Sequence, residues 1–142
     1  MAPLARWQRV ATPIDWAALV LAIREAESAG SLRIHAGRCL PLECDRGRAR
    51  GPWQVHRYSE ASLEWERMHG IENTSRQAWA ASAILRRGFY TCRGSADWVT
   101  ATINGYAGRR CGSTWPGLTY RLALWQAYRA AIGRELARAK ER

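Results

Sequence analysis

The first candidate for chemistry in this 142-residue chain is an acid standing where the pattern asks for an apolar residue. It lies in the run Leu19-Val20-Leu21-Ala22-Ile23-Arg24-Glu25-Ala26-Glu27-Ser28-Ala29-Gly30. A helical advance of about 100° per residue puts Trp16, Leu19, Val20, Ile23 and Glu27 within one sector of roughly 100°. Glu25 points to about the opposite side, the place of an ordinary solvated acid. A carboxyl on a core-facing stripe must give up its charge or find a partner. One that keeps its proton is what general-acid catalysis uses. The plainer reading is a helix that frays near Gly30 and releases Glu27 to solvent.

The elements that must position Glu27 follow from the punctuation of the chain. A first helix opens after Thr12-Pro13, with Asp15 near its positive end, and stops by Gly30. From Ser31 to Pro52, Gly37, Pro41, Gly47 and Gly51 interrupt a polar stretch that reads as a loop or small hairpin, its tip pinned by Cys39 and Cys44. After Trp53-Gln54-Val55-His56, Ser59 caps a short helix from Glu60 to His69. Thr74-Ser75-Arg76-Gln77 has the form of a capping box, opening a helix that ends at Gly88. Ser95-Ala96-Asp97 caps another, carrying Trp98, Ala101, Thr102 and Gly105 at helical spacing. Gly112 to Gly117 is a connector containing Pro116. The last helix runs from about Thr119 towards Arg138, with Leu122, Trp125, Ile132 and Leu136 as its buried stripe. Its arginines, Arg121, Arg129, Arg134 and Arg138, would suit an anionic membrane surface, although a terminal helix with one apolar stripe ordinarily packs on its own domain. No repeat or linker divides the chain, so a single domain is expected.

A hydrophobic content of 47% and eight Trp describe a folded protein rather than a disordered one. The net charge is +10, from 22 basic against 12 acidic residues, and Lys140 is the only lysine. Such a surface suits polyanions: nucleic acid, an acidic cell wall or an anionic membrane. No apolar run reaches the length of a membrane span, and the first ten residues lack the apolar core of a signal peptide. The cysteines, Cys39, Cys44, Cys92 and Cys111, suggest one short and one long disulfide loop, with three connectivities open. Disulfides imply an oxidising compartment. Zinc is the weaker reading, even with His35 and His56 as substitutes, because no paired Cys-x-x-Cys knuckles occur.

Three segments together resemble a known family. Glu27-Ser28-Ala29-Gly30 is similar to the Glu-Ser-Gly that ends the catalytic helix of lytic transglycosylases and goose-type lysozymes. Gly51-Pro52-Trp53-Gln54-Val55 is similar to their Gly-x-x-Gln-Ile segment, and Ile103-Asn104-Gly105-Tyr106-Ala107-Gly108 to their Tyr-Asn-Gly-Gly segment. Order and spacing agree across about two thirds of the chain, with Ala29 inserted and Ile103 where a Tyr is usual. The resemblance implies a lysozyme-like α+β fold, mostly α, with a small β-hairpin or loop excursion after the catalytic helix.

It also implies cleavage of the β-1,4 bond between N-acetylmuramic acid and N-acetylglucosamine in peptidoglycan, with Glu27 as general acid. Asp45, and less so Glu43, could orient water. Ser28, Gln54, Asn104, Tyr106 and Trp53 would line the sugar cleft, with core packing equally open to Trp53. His56 reads as structural. The chemistry calls for no cofactor or metal. The expected partner is the glycan strand, met by a monomer in the periplasm, the envelope or outside the cell, or as a phage endolysin. The alternative is a basic, non-enzymatic module binding nucleic acid or cell wall; no helix-turn-helix or zinc-finger pattern supports nucleic acid.

Overall fold

The computed structural model describes residues 11–29, 31, 34, 38–47, 49–56, 74–94 and 97–142. It is mostly helical: α1 (Pro13–Ser28), α2 (Cys44–Gly47), α3 (Thr74–Cys92), α4 (Trp98–Tyr106) and α5 (Pro116–Lys140), with two short strands, β1 (Ala49–Arg50) and β2 (Val55–His56). The helix expected over 60–69 lies outside the described residues. The chain forms two compact units, one of Met1–Ala22 with Leu85–Arg142 and one of Ile23–Ile84.

Helix α1 begins where Pro13 and Asp15 predict. Thr12 Oγ1 accepts from the Asp15 N–H at 3.2 Å, and Asp15 Oδ2 accepts from the Thr12 N–H at 3.3 Å. This reciprocal cap satisfies donors that a helix start otherwise leaves open. The buried face is not the one expected. Ala18, Leu19, Ala22 and Ile23 are fully enclosed, whereas Trp16 and Val20 are half-buried. On a helical projection Glu27 lies about 110° from the centre of that ridge and Glu25 about 90° to the other side. Both acids are half-buried at the ridge's edges. The alanines account for the shift, since their small side chains carry little weight in a hydrophobic stripe yet permit the closest packing.

At its end α1 turns through Ala29, whose φ is +46°. Its N–H donates to Glu25 O at 2.8 Å, and the Ser31 N–H donates to Ser28 O at 2.9 Å. Glycine usually holds this left-handed position because a Cβ there is strained. Ala29→Gly is therefore expected to stabilise the protein by about 0.5–1 kcal/mol, a rise in Tm of roughly 2–5 °C by calorimetry. A fall in Tm would show that the turn is not held in this conformation.

In the first unit, Trp125 of α5 is the main anchor. Its Nε1 donates to Asp15 O at 3.0 Å, its ring meets Trp98 edge-on at 5.8 Å, and Arg129 lies over it at 4.6 Å while pairing with the Asp15 carboxylate. Helix α5 starts earlier than expected, with Pro116 in its first turn. Leu118 and Trp125 are its buried residues. Leu122 and Ile132 are half-buried, and Leu136 is 47% exposed, so the expected stripe does not reach the helix end. Helix α3 does not stop at Gly88 but runs on to Cys92, which is bonded to Cys111. A Cβ at Gly105 would lie 2.4 Å from Gly88 Cα, so α3 and α4 cross here backbone against backbone.

In the second unit, Cys39 is bonded to Cys44. Inside that loop Glu43 Oε2 accepts from the Leu40 N–H at 2.9 Å. Then β1 pairs antiparallel with β2, Ala49 opposite His56 and Arg50 opposite Val55. The turn between them needs Gly51. Its φ is +75°, and a Cβ would come within 1.9 Å of Gln77 Nε2. Gln77 is fully buried, and its Oε1 accepts from the Trp53 N–H at 3.4 Å. Gly51→Ala should cost about 2 kcal/mol, since it strains the backbone and displaces a buried amide that can only partly rotate away. Urea unfolding measures it; an unchanged midpoint would show that Gln77 moves freely.

Candidate functional site

The second unit brings two of the three motif segments together. Arg24, one turn before Glu27 and Ser28, places its guanidinium 5.7 Å from the centre of the Trp53 ring. The last turns of α1 and the 51–54 turn are therefore neighbours, although 27 residues separate Glu27 from Gln54. Arg24 Nε is buried there with no hydrogen-bond partner, so the ring face is the neighbour that receives its charge.

Within that group the roles divide. Trp53 is only 4% exposed, in keeping with the core packing that the sequence left open to it beside a place in the cleft. Ser28 is buried, and its Oγ donates to Arg24 O at 3.0 Å, the backbone bond common for a serine inside a helix. Gln54 is half-buried, with φ at +49°, and its Nε2 donates to Gly51 O at 3.0 Å. A non-glycine residue in that region is strained, and such strain concentrates where the surroundings dictate a side chain's direction. Glu27, in the last turn of α1, is half-buried. Asp45 falls in α2, and its side chain, like that of His56, lies outside the described residues.

Asn104 and Tyr106 belong to the first unit. Asn104 is fully buried and already committed. Its Nδ2 donates to Cys111 O at 2.8 Å and to Ser113 O at 3.0 Å, and its Oδ1 accepts from Trp115 Nε1 at 2.8 Å. Both of its donors are used in holding the 111–115 segment, a structural role beside which the sequence had set a place in the sugar cleft. Tyr106 is half-buried at the end of α4.

Two residues of the candidate site were not singled out from the sequence. Gln77 was read as the fourth residue of a capping box, yet it holds the backbone of Trp53 from within the core. The signal was there: a long amide shares a helix face with the enclosed Ala80 and Ala81. Arg24 carried no signal beyond lying one turn before Glu27.

All four cysteines are in disulfides, so none serves as a thiolate ligand. Among the described residues, no group of three or more His, Cys, Asp or Glu could hold a metal ion, and no helix is long and apolar enough to cross a membrane. No protein-family model, characterised protein or solved structure matches the chain.

Proposed function

We propose that this chain is a peptidoglycan-cleaving glycosidase of lysozyme-like fold, with Glu27 as its general acid. One contact carries the reading: Arg24 on Trp53, which makes neighbours of the Glu27-Ser28 end of α1 and the Gly51–Gln54 turn. These are the segments that resemble the catalytic helix and cleft wall of lytic transglycosylases and goose-type lysozymes. The α2–β1–β2 segment following α1 supports the reading, since the resemblance implies a small excursion after the catalytic helix. The two disulfides suit an enzyme working in the periplasm or outside the cell, including one delivered there by a phage.

The position of Glu27 suits contact with substrate. An enclosed carboxyl could not reach a polymer, whereas Glu27 lies half-buried in the last turn of α1. In the reaction, Glu27 gives its proton to the glycosidic oxygen as the C1–O bond breaks, while positive charge grows on the muramoyl ring. The leaving sugar departs as an alcohol, not as a costly alkoxide. The second step returns the proton to Glu27, either from water or from the muramoyl 6-hydroxyl, which then closes a 1,6-anhydro ring. Gln54 supplies an amide for an N-acetyl or hydroxyl group.

Digestion of purified peptidoglycan, followed by mass spectrometry of the released muropeptides, tests the reading. Muramoyl ends are expected, as 1,6-anhydro sugars if the hydroxyl closes the ring and as reducing sugars if water adds. Release of peptide-only fragments, or of nothing, would overturn it.

A further inference from the structure

Among the large apolar side chains of the described residues, Leu42 is the most exposed, at 82%, with Leu40 next at 58%. Trp79 on α3 and Tyr120 and Leu136 on α5 stay between 45% and 49%. The two leucines flank Pro41, itself exposed, inside the loop that the Cys39–Cys44 bond closes. A single leucine in water is ordinary. Three consecutive exposed apolar residues on one turn make a patch.

The patch is fixed by the loop's own chemistry. Leu40 O accepts from the Glu43 N–H at 3.0 Å, closing a β-turn with Pro41 at the position that proline favours. Glu43 Oε2 accepts from the Leu40 N–H at 2.9 Å, so both backbone groups of Leu40 are bonded within the turn. Pro41 has no N–H to bond. Such a tip gives up few hydrogen bonds to water when its side chains enter an apolar phase, where each unpaired backbone group is costly. The disulfide sets its conformation beforehand, so little ordering remains to be done on binding. The surrounding sequence is basic: residues 31–50 hold Arg33, Arg38, Arg46, Arg48 and Arg50 against Glu43 and Asp45, in a chain of net charge +10. Arg38 and Arg46, on either side of the disulfide, are exposed.

We propose that Leu40, Pro41 and Leu42 form a wedge that enters the headgroup region of an anionic lipid bilayer, with the basic charge of the chain drawing the tip to the surface. A stable protein partner matches a surface of about 800 Å² on each side, which three residues of a single turn cannot supply alone. A bilayer needs no matching surface. It accepts an apolar tip whose backbone is satisfied, and acidic headgroups complement the +10 charge. Glu27 and Gln54 lie outside the loop, so lipid binding stands or falls apart from glycan cleavage.

Co-sedimentation of the full chain with vesicles of phosphatidylcholine, alone or mixed with phosphatidylglycerol, tests the wedge. The wild type is expected to bind the mixed vesicles and to bind pure phosphatidylcholine about tenfold more weakly or less. Leu40→Ser/Leu42→Ser should weaken binding to the mixed vesicles by about tenfold or more, the ratio holding at low and high salt because apolar transfer is not screened as charge is. Leu40→Phe/Leu42→Phe, which keeps the tip apolar, should stay within about threefold of the wild type. Leu136→Ser removes an exposed leucine from α5 and should change binding by less than about twofold. Near-UV circular dichroism checks that each variant is folded, as substitution at exposed positions allows. Glu27→Gln should sediment with the vesicles as the wild type does, so loss of cleavage and loss of binding are read separately. Absence of binding to the mixed vesicles, equal binding to both kinds, or a serine double variant equal to the wild type would each overturn the wedge. So would a phenylalanine variant as weak as the serine one, or a Leu136→Ser loss as large. Self-association of the wild type in sedimentation velocity without lipid, abolished in the serine double variant, would overturn the bilayer in favour of a second copy of the chain.

Discussion

Gly105→Ala is expected to destabilise the protein by about 3 kcal/mol or more, the upper end of what overpacking a close contact costs. The new methyl would sit 2.4 Å from Gly88 Cα and 3.0 Å from both the carbonyl carbon and the oxygen of Gly88. A backbone cannot rotate out of the way as a side chain can, so α3 and α4 must separate. The neighbourhood offers little slack, because Ile103, Thr102 and Asn104 on α4 are fully buried and Phe89 and Cys92 on α3 nearly so. Separation would also disturb Asn104, through which the Trp115 loop is held. The matched control is Gly133→Ala, at an α5 position where an added Cβ meets nothing within 4 Å. That change should stabilise by about 0.5–1 kcal/mol through helix propensity alone. Urea unfolding of both variants separates the effects by sign. Equal midpoints would show that the helices do not touch at Gly88 and Gly105.

Helix starts were the most legible feature of the sequence, because capping chemistry is local. Thr12, Pro13 and Asp15 announced α1, and Asp97 announced α4, where its Oδ1 accepts from the Thr100 N–H at 3.0 Å. The two disulfides were legible as spacing, 39 with 44 and 92 with 111, although three connectivities stood open until the fold joined these pairs. Glycine was one source of error, since a stop signal and a packing device look alike. Gly88 reads as a helix end and proves to be a helix crossing.

The candidate site was legible in its segments and less so in its side chains. Glu27-Ser28 and Gly51–Gln54 were found by type and spacing, and they lie in neighbouring segments. Trp53 and Asn104 were expected at sugars because aromatic rings and amides serve there. The same chemistry serves a core equally well, and both residues are buried. Periodicity also overstated the enclosure of Glu27, because it weighed Val20 and Trp16 above Ala18 and Ala22.

Glu27→Gln carries the largest expected effect on activity, a loss of about 10²- to 10⁴-fold in glycan cleavage. The amide keeps the size and hydrogen-bonding reach of the acid but has no proton to give, so the C1–O bond would have to break with an alkoxide leaving. Glutamine is close in size to glutamate, and a folded variant shows that the loss belongs to the missing proton rather than to unfolding. Glu25→Gln, on the other side of α1, makes the same chemical change one residue pair away and should leave at least about half the activity, as expected of an acid outside the proton-transfer path. The decisive measurement is the rate of muropeptide release from purified peptidoglycan by wild type, Glu27→Gln and Glu25→Gln, each shown by near-UV circular dichroism to be folded. The account predicts release by the wild type and Glu25→Gln and a near-complete loss for Glu27→Gln. Release by Glu27→Gln at the wild-type rate would contradict it.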